Sequence, residues 1–509
     1  MTAAAYPNRG PITVSVMAAT LLSMLDTTIV NVALPQIQGS LSASPEQVTW
    51  ILTSYIVATA ISTPLSGWLA ARFGMKRVIL VTIAGFTVAS MFCGIAASLP
   101  QMVLCRVVQG FFGAALIPLS QAVMLNINPP ERHGRALSVW SAGVMLGPIV
   151  GPLIGGYLTE ALSWRWCFYI NLPVGLAALA GVAVFMPSHE DTRRRPFDFL
   201  GFGALALAIG AVQMMLDRGP GEDWFASFEI CAYAVAAVIF FWVFLVHSLT
   251  ARHPFFDPAL VRDRNLATSS VFNFLAGVVL FSSMAILPNL MQGLMGYPPM
   301  LAGVMNLPRG LGMLASILIA GRIAGLVDQR LMLLAGLSIS GAGIWVSTWF
   351  DLSMDTTPLI LSALLQGFGT GFFSIPLNLL AFSTIGPVMR AEASSMYNLV
   401  RNLGSSAGIA GIQAMAVVNS QTMHAALAGR VNPEDQALRA ALPPAFDPAT
   451  IVGALALDAE ISRQSMMTAY VNVFRFLLIL CVAFMPLVLL LRPASRGVAR
   501  AGSIASAVE

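Results

Sequence analysis

The chain has 509 residues, 57% hydrophobic and only 10% charged, where a typical soluble domain is about 25% charged; its mean hydropathy is +0.79. This composition excludes a soluble globular enzyme and predicts an all-α integral membrane protein, because a lipid-exposed segment must satisfy its own backbone hydrogen bonds. The net charge of +4, from 27 basic and 23 acidic residues, is too balanced to imply nucleic acid as a partner.

Apolar runs long enough to cross a ~30 Å hydrocarbon layer predict fourteen spans, over 13–35, 48–71, 77–97, 102–124, 136–159, 167–186, 197–216, 226–247, 266–290, 299–321, 331–350, 357–382, 395–418 and 468–491. The first contains "MLDTTIVNVALPQI" (24–37) and lacks a small-residue cleavage site, so it is expected to stay uncleaved. Its Asp26 lies about 20 Å from the cytoplasmic end at ~1.5 Å rise per residue. Between spans 2 and 3, "GWLAARFGMKR" (67–77) holds Gly67, Arg72, Gly74, Lys76 and Arg77. These cations either fix topology or gate, engaging carbonyl ends or acids in one conformation and releasing them in the other. Span 4 carries Arg106 within ~10 Å of the external surface, so its depth is comparable with that of Asp26.

Asp26 is the one acid well inside a span, whereas Asp198, Asp217 and Glu229 fall near span ends. An ionised side chain at that depth costs at least ~2.5–3.5 kcal/mol, so it must face a cavity, pair with a cation or be protonated. A carboxyl that moves between such environments changes its proton affinity, which is the chemistry of proton coupling. The plainer alternative is a permanent bond to Thr27, Thr28 or Asn31 that fixes the helix. Asn31, Gln109, Gln366 and Asn378 are candidates for lining a substrate cavity.

In span 5, "GVMLGPIVGPLIGG" (143–156) sets Gly143, Gly147, Gly151 and Gly155 on one face, with Pro148, Pro152 and Gly156 among them. Small residues at this spacing permit close helix contact and the prolines bend the helix. The stripe is expected to form a bendable seam at the interface of two moving halves. The five cysteines, 93, 105, 167, 231 and 481, read as apolar packers, and no metal cluster or phosphate-binding loop is present. No cofactor is therefore expected.

The chain repeats itself: Gln109 falls on Gln366, Gly147 on Gly404, Gly151 on Gly408, and the 67–77 loop on 321–331. A parallel repeat about an axis along the membrane normal follows, with the substrate site between the halves. Residues 1–187 form the first six-helix bundle, 188–265 a cytoplasmic linker and inserted spans 7 and 8, 266–492 the second bundle, and 493–509 a cytoplasmic tail. Residues 419–467 are expected to be one solvated external loop. Because Arg106 falls on Ala363 in the repeat, the ionic machinery is expected to be confined to the N-terminal half. Of the basic residues only Arg165, Arg218, Arg430, Arg439 and Arg463 lie outside, and Arg106, Arg309 and Arg475 within spans; the rest place both termini in the cytoplasm.

Three of these stretches resemble motifs of the major facilitator superfamily, in particular its fourteen-span drug:proton antiporters of the EmrB/QacA type. "LDTTIVNVALPQI" is similar to their first-span motif, "RVVQGFFGAALIP" to the fourth-span motif with Arg106 at the arginine position, and "GVMLGPIVGPLIGG" to the fifth-span antiporter motif. "LDRGPGEDWF" (216–225) and "LPRGLGM" (307–313) favour the EmrB-like branch. One departure is Ala71, where the family usually carries the acid of the loop between spans 2 and 3. The resemblance implies export of small hydrophobic or cationic drug-like compounds from the cytoplasm or inner leaflet across a bacterial inner membrane, driven by the proton gradient, with Asp26 and Arg106 in the coupling. It also implies a periplasmic adaptor and an outer-membrane channel as partners. The alternatives are a proton-coupled exporter of one metabolite and, against the lack of a sizeable soluble domain, a sensor or scaffold.

Overall fold

The computed structural model describes residues 8–188, 196–432, 439 and 442–491, and these contain helices and no strands. We number the long helices α1 (Arg9–Ser40), α2 (Pro45–Phe73), α3 (Met75–Ile95), α4 (Leu99–Ile127), α5 (His133–Ala161), α6 (Trp166–Phe185), α7 (Phe199–Arg218), α8 (Phe228–Thr250), α9 (Arg264–Leu294), α10 (Pro299–Ile323), α11 (Gln329–Ser347), α12 (Thr356–Phe382), α13 (Arg390–Ala428) and α14 (Ile451–Phe484). Thirteen are long and apolar enough to cross a membrane. The remaining one, α13, is diluted by Ser394, Ser395, Asn398, Gly404 and Gly408, all buried in the protein. Its polar face is turned inward, away from lipid.

Local sequence explains the breaks. Gly74 alone separates α2 from α3, at φ 88°, a backbone region that glycine enters without steric cost. The α4 ladder is interrupted at Ala114–Ala115, because Pro118 offers no N–H to the Ala114 carbonyl and its ring crowds that turn. In α9, π-turns occupy Gly277–Phe281 and Leu290–Leu294.

Helices α1–α6 pack on one another, α9–α14 do the same, and α7 and α8 lie together against α2 and α13. Thr53 of α2 donates to Asp217 of α7 (2.6 Å), and Gln213 of α7 to Ser406 of α13 (3.0 Å). The outward faces carry the apolar side chains a bilayer requires, among them Phe228, Trp242 and Val238 of α8.

Repeat-related residues meet at the end of the bundle where Arg72, Lys76 and Arg77 emerge, here called the basic end. Gln121 donates to Asn378, its mate in the repeat, at 2.8 Å, and accepts from Ser394 (2.7 Å) and Asn398 (2.9 Å). Gly67 of α2 crosses so close to α13 that a Cβ there would lie 2.6 Å from Glu392 Cα; its mate Gly321 of α10 crosses α5 beside Ser138 and Gly134. Arg390 of α13 donates to the Leu125 carbonyl (2.7 Å) and to Asn126 (3.1 Å) at the end of α4. The two halves are thus joined by polar bonds at the basic end.

Two expectations change. The segment 419–467 is not a single loop, since α13 continues to Ala428 and α14 begins at Ile451. Residues 189–195 of the linker and the tail beyond 491 lie outside the described residues.

Candidate proton-coupling site

Asp26 and Arg106 touch. Helix α1 carries Asp26 and the outer segment of α4 carries Arg106, both with no exposed surface, and Arg106 Nη1 lies 2.5 Å from Asp26 Oδ2. The carboxylate also accepts from Gln109 Nε2 (2.8 Å) and Asn171 Nδ2 (3.1 Å). The guanidinium in turn donates to Gln109 Oε1 (2.8 Å) and, through Nε, to the Ile51 carbonyl (3.1 Å). Its Cζ lies 4.2 Å from the Tyr55 ring centre, and the Tyr55 hydroxyl bonds Ser23 at 3.0 Å.

The bonds to Asp26 come from two other helices, so its charge joins α1, α4 and α6 at one point. Thr27 and Thr28 do not hold it: their hydroxyls bond the carbonyls of Ser23, Met24 and Leu25 in their own helix. Asn31 is exposed on α1. Asn171 and Tyr55 were not singled out from the sequence. For Asn171 the available signal was one amide at the head of the apolar "INLPVGLAALAG" run; Tyr55 offered none.

The glycine stripe of α5 faces α1 and not the other half of the protein. A Cβ at Gly147 would lie 2.6 Å from Met24 Cβ, and one at Gly155 would lie 3.2 Å from Ile29 Cα; Gly143 abuts Met17 and Gly151 abuts Thr28. The expected seam between halves is therefore corrected to a seam within the first half, gripping the helix on both sides of Asp26. Gly156 has nothing within 4 Å. Pro148 and Pro152 lie within an unbroken helix. The interface with α10 uses other residues of α5, Ile149 against Gly310 and Gly134 and Ser138 against Gly321.

Among the loop cations, Lys76 Nζ donates to the Ala183 carbonyl (2.9 Å) near the C-terminal end of α6, a contact within the first half. Arg72 packs over Trp68, 5.3 Å from its ring centre, and Arg77 lies in the first turn of α3. The four cavity candidates are not brought together. Gln109 is part of the Asp26 network, Asn378 is bonded to Gln121 at the basic end, Asn31 is apart, and Gln366 is buried in the second half, where it accepts from Arg309 Nη2 at 3.1 Å. Arg309 is thus a buried cation in the second half.

Comparison with known proteins accords with this architecture. The chain is 37% identical over 423 residues to the "Multidrug export protein EmrB" of Escherichia coli, covering 83% of each chain. It is 34% identical over 424 residues to the "Fatty acid resistance protein FarB" of Neisseria gonorrhoeae, again covering 83% of each. Its fold matches that of the human organic anion transporter MFSD10 with a TM-score of 0.60 at 14% identity, over 93% of this chain and 99% of the other. Residues 16–409 match the Major Facilitator Superfamily profile, and with its two packed helical bundles and inserted α7–α8 pair, the chain belongs to that superfamily.

Proposed function

We propose that the chain is a proton-driven multidrug efflux transporter of a bacterial inner membrane, a transporter and not an enzyme, that works by alternating access. The observation that carries the reading is the Asp26–Arg106 pair, an acid–base contact with no exposed surface in the middle of the first bundle. A carboxylate there is held by a guanidinium and two amides; a protonated carboxyl loses the ionic part of that attraction. Protonation therefore weakens the tie between α1 and α4, and loss of the proton restores it. Each state of the carboxyl favours its own packing of α1, and a difference in interaction energy between two conformations is what lets a ligand, here a proton, shift their balance.

The relatives named for multidrug export and for fatty acid resistance support hydrophobic compounds as cargo. The proton gradient supplies the energy, with no cofactor in the cycle. The cytoplasmic placement of both termini follows from the charge pattern, and an adaptor and outer-membrane channel complete the export path in the same reading.

The test uses inverted vesicles containing the full chain, with an acidic interior and a pH-sensitive dye inside. Addition of a lipophilic toxic compound should alkalinise the interior with the natural sequence and not with Asp26→Asn. Gradient-driven transport that survives this substitution, in protein shown to be folded, overturns the role of Asp26.

A further inference from the structure

The second bundle contains a copy of the coupling site from which the acid is missing. The register that sets Gln109 over Gln366 also sets Asp26 over Ser283, and the register that sets Gly67 over Gly321 sets Tyr55 over Arg309. In the first half a guanidinium donates to a buried glutamine and to a carboxylate. In the second, Arg309 donates to the corresponding glutamine from a different helix, α10 in place of α12, and the carboxylate position is a serine whose hydroxyl donates to the same Gln366 oxygen.

Arg309 is 6% exposed, and among the described residues it has no carboxylate partner. Its Nε is buried without any hydrogen-bond acceptor among the described residues. Ser347 and Ser362 complete the polar surroundings, with Gln366 Nε2 donating to Ser362 at 2.8 Å. Ser282 and Ser283 directly follow the π-turn of α9, a wide turn that often occurs at functional sites. A guanidinium does not neutralise itself by losing its proton, so a buried one without an acid leaves a standing positive charge. Arg309 begins a stretch that reaches the other half, since Gly310 packs on Ile149 of α5.

We propose that Arg309, with Ser283, is an anion subsite that takes the carboxylate of a lipophilic acid during transport. The cargo brings the negative charge that Asp26 supplies permanently in the first half. Arg309 offers its free Nε–H, and the Ser283 hydroxyl turns from Gln366 to donate to the second carboxylate oxygen. This names a substrate chemistry for the export proposed above and rests on that reading. Binding to the purified protein is read separately from proton coupling, so the two can fail independently.

The experiment measures binding of three ten-carbon probes to the detergent-solubilised full chain: decanoate, decanol and decyltrimethylammonium. Arg309→Gln should weaken decanoate at least tenfold and leave the other two within twofold. Ser283→Asp supplies an internal acid where the repeat places one, keeps Arg309 paired and folded, and should weaken decanoate to the same degree. The coupling reading is tested separately, by gradient-driven transport with Asp26→Asn in vesicles. Equal decanoate affinity in the natural chain and in Ser283→Asp overturns the proposal, as does a loss in Arg309→Gln shared equally by all three probes. Chloride that binds the natural chain without competing with decanoate overturns it too, because the subsite then holds an inorganic ion and not the cargo.

Discussion

The Asp26–Arg106 pair makes an energetic prediction that is independent of transport. In Asp26→Asn the guanidinium stays buried, keeping Gln109 and the Ile51 carbonyl as acceptors but losing its one carboxylate. Leaving a buried ion without its counter-ion costs about 3–5 kcal/mol. In Arg106→Gln the carboxylate keeps the amide donors of Gln109 and Asn171, and it can take up a proton, which a guanidinium cannot shed. Its loss is then close to that of one charge-assisted hydrogen bond, about 1.5–3 kcal/mol. The single substitutions should therefore be unequal, with Asp26→Asn the worse by ~1–2 kcal/mol, and the double variant Asp26→Asn/Arg106→Gln should be more stable than the sum of the singles by ~2–3 kcal/mol. Reversible unfolding of the four proteins in mixed micelles, with fluorescence as the readout, closes the cycle. Additivity within ~0.5 kcal/mol, or Arg106→Gln as the worse single change, would show that the contact does not hold the bundle as described.

Further perturbations address the surroundings. Gly147→Val puts branched carbon where even a Cβ would lie 2.6 Å from Met24 Cβ, so thermal unfolding should show a loss of ~1–3 kcal/mol with failure of transport. Gly156→Ala, with nothing within 4 Å, should instead leave both unchanged or gain up to ~1 kcal/mol from helix propensity. Gln121→Leu removes three hydrogen bonds between the halves, each worth ~0.5–1.5 kcal/mol, so spin-label distances across the basic end should show a population of open molecules at least tenfold larger; an unchanged distribution refutes the latch. On the exposed segment before α14, the Arg439 guanidinium, with the Ala449 N–H, holds the Asp447 carboxyl below the usual carboxylate range. A depressed value stabilises that contact above the ordinary aspartate range and loses it as pH falls through the lowered one. Arg439→Ala should accordingly raise the Asp447 midpoint in an NMR titration without altering export.

What the sequence made legible follows from which forces act locally. A bilayer forces every spanning segment to be apolar and helical, so the spans could be read from composition, and a single acid in such a run stood out against it. Its partner was a matter of guesswork by depth alone, because the Asp26–Arg106 contact depends on how α1, α4 and α6 pack. Asn171 was hidden for that reason. Helix α13 shows the converse, since its buried Ser394 and Asn398 lower its apolarity although it is enclosed by the protein. The glycine stripe of α5 announced close packing without saying with what; its partner is α1, whereas the expectation assigned it to the other half. Arg309 falls on Tyr55 in the repeat while Arg106 falls on Ala363, so the aligned halves do not show the two arginines as counterparts. The structure restores the correspondence in space: two guanidinium groups reach equivalent glutamines from different helices.

The position of α5 explains how a proton could be felt at the interface between halves. One face of this helix carries the glycines that grip α1 on both sides of Asp26; another carries Ile149, Ser138 and Gly134, which meet α10. Close contacts through glycine leave no side-chain layer to absorb a displacement, since packed interiors transmit strain. A shift of α1 that follows protonation of Asp26 must therefore move α5 or open a void along the stripe, and moving α5 alters its contact with α10 at Gly310, next to Arg309. The two buried guanidinium groups are thereby connected through a single helix, one answered by an acid of the protein and the other left for an acid from outside. A transporter that exchanges protons for cargo needs one site to report the state of the other, and this chain of close glycine contacts supplies the route.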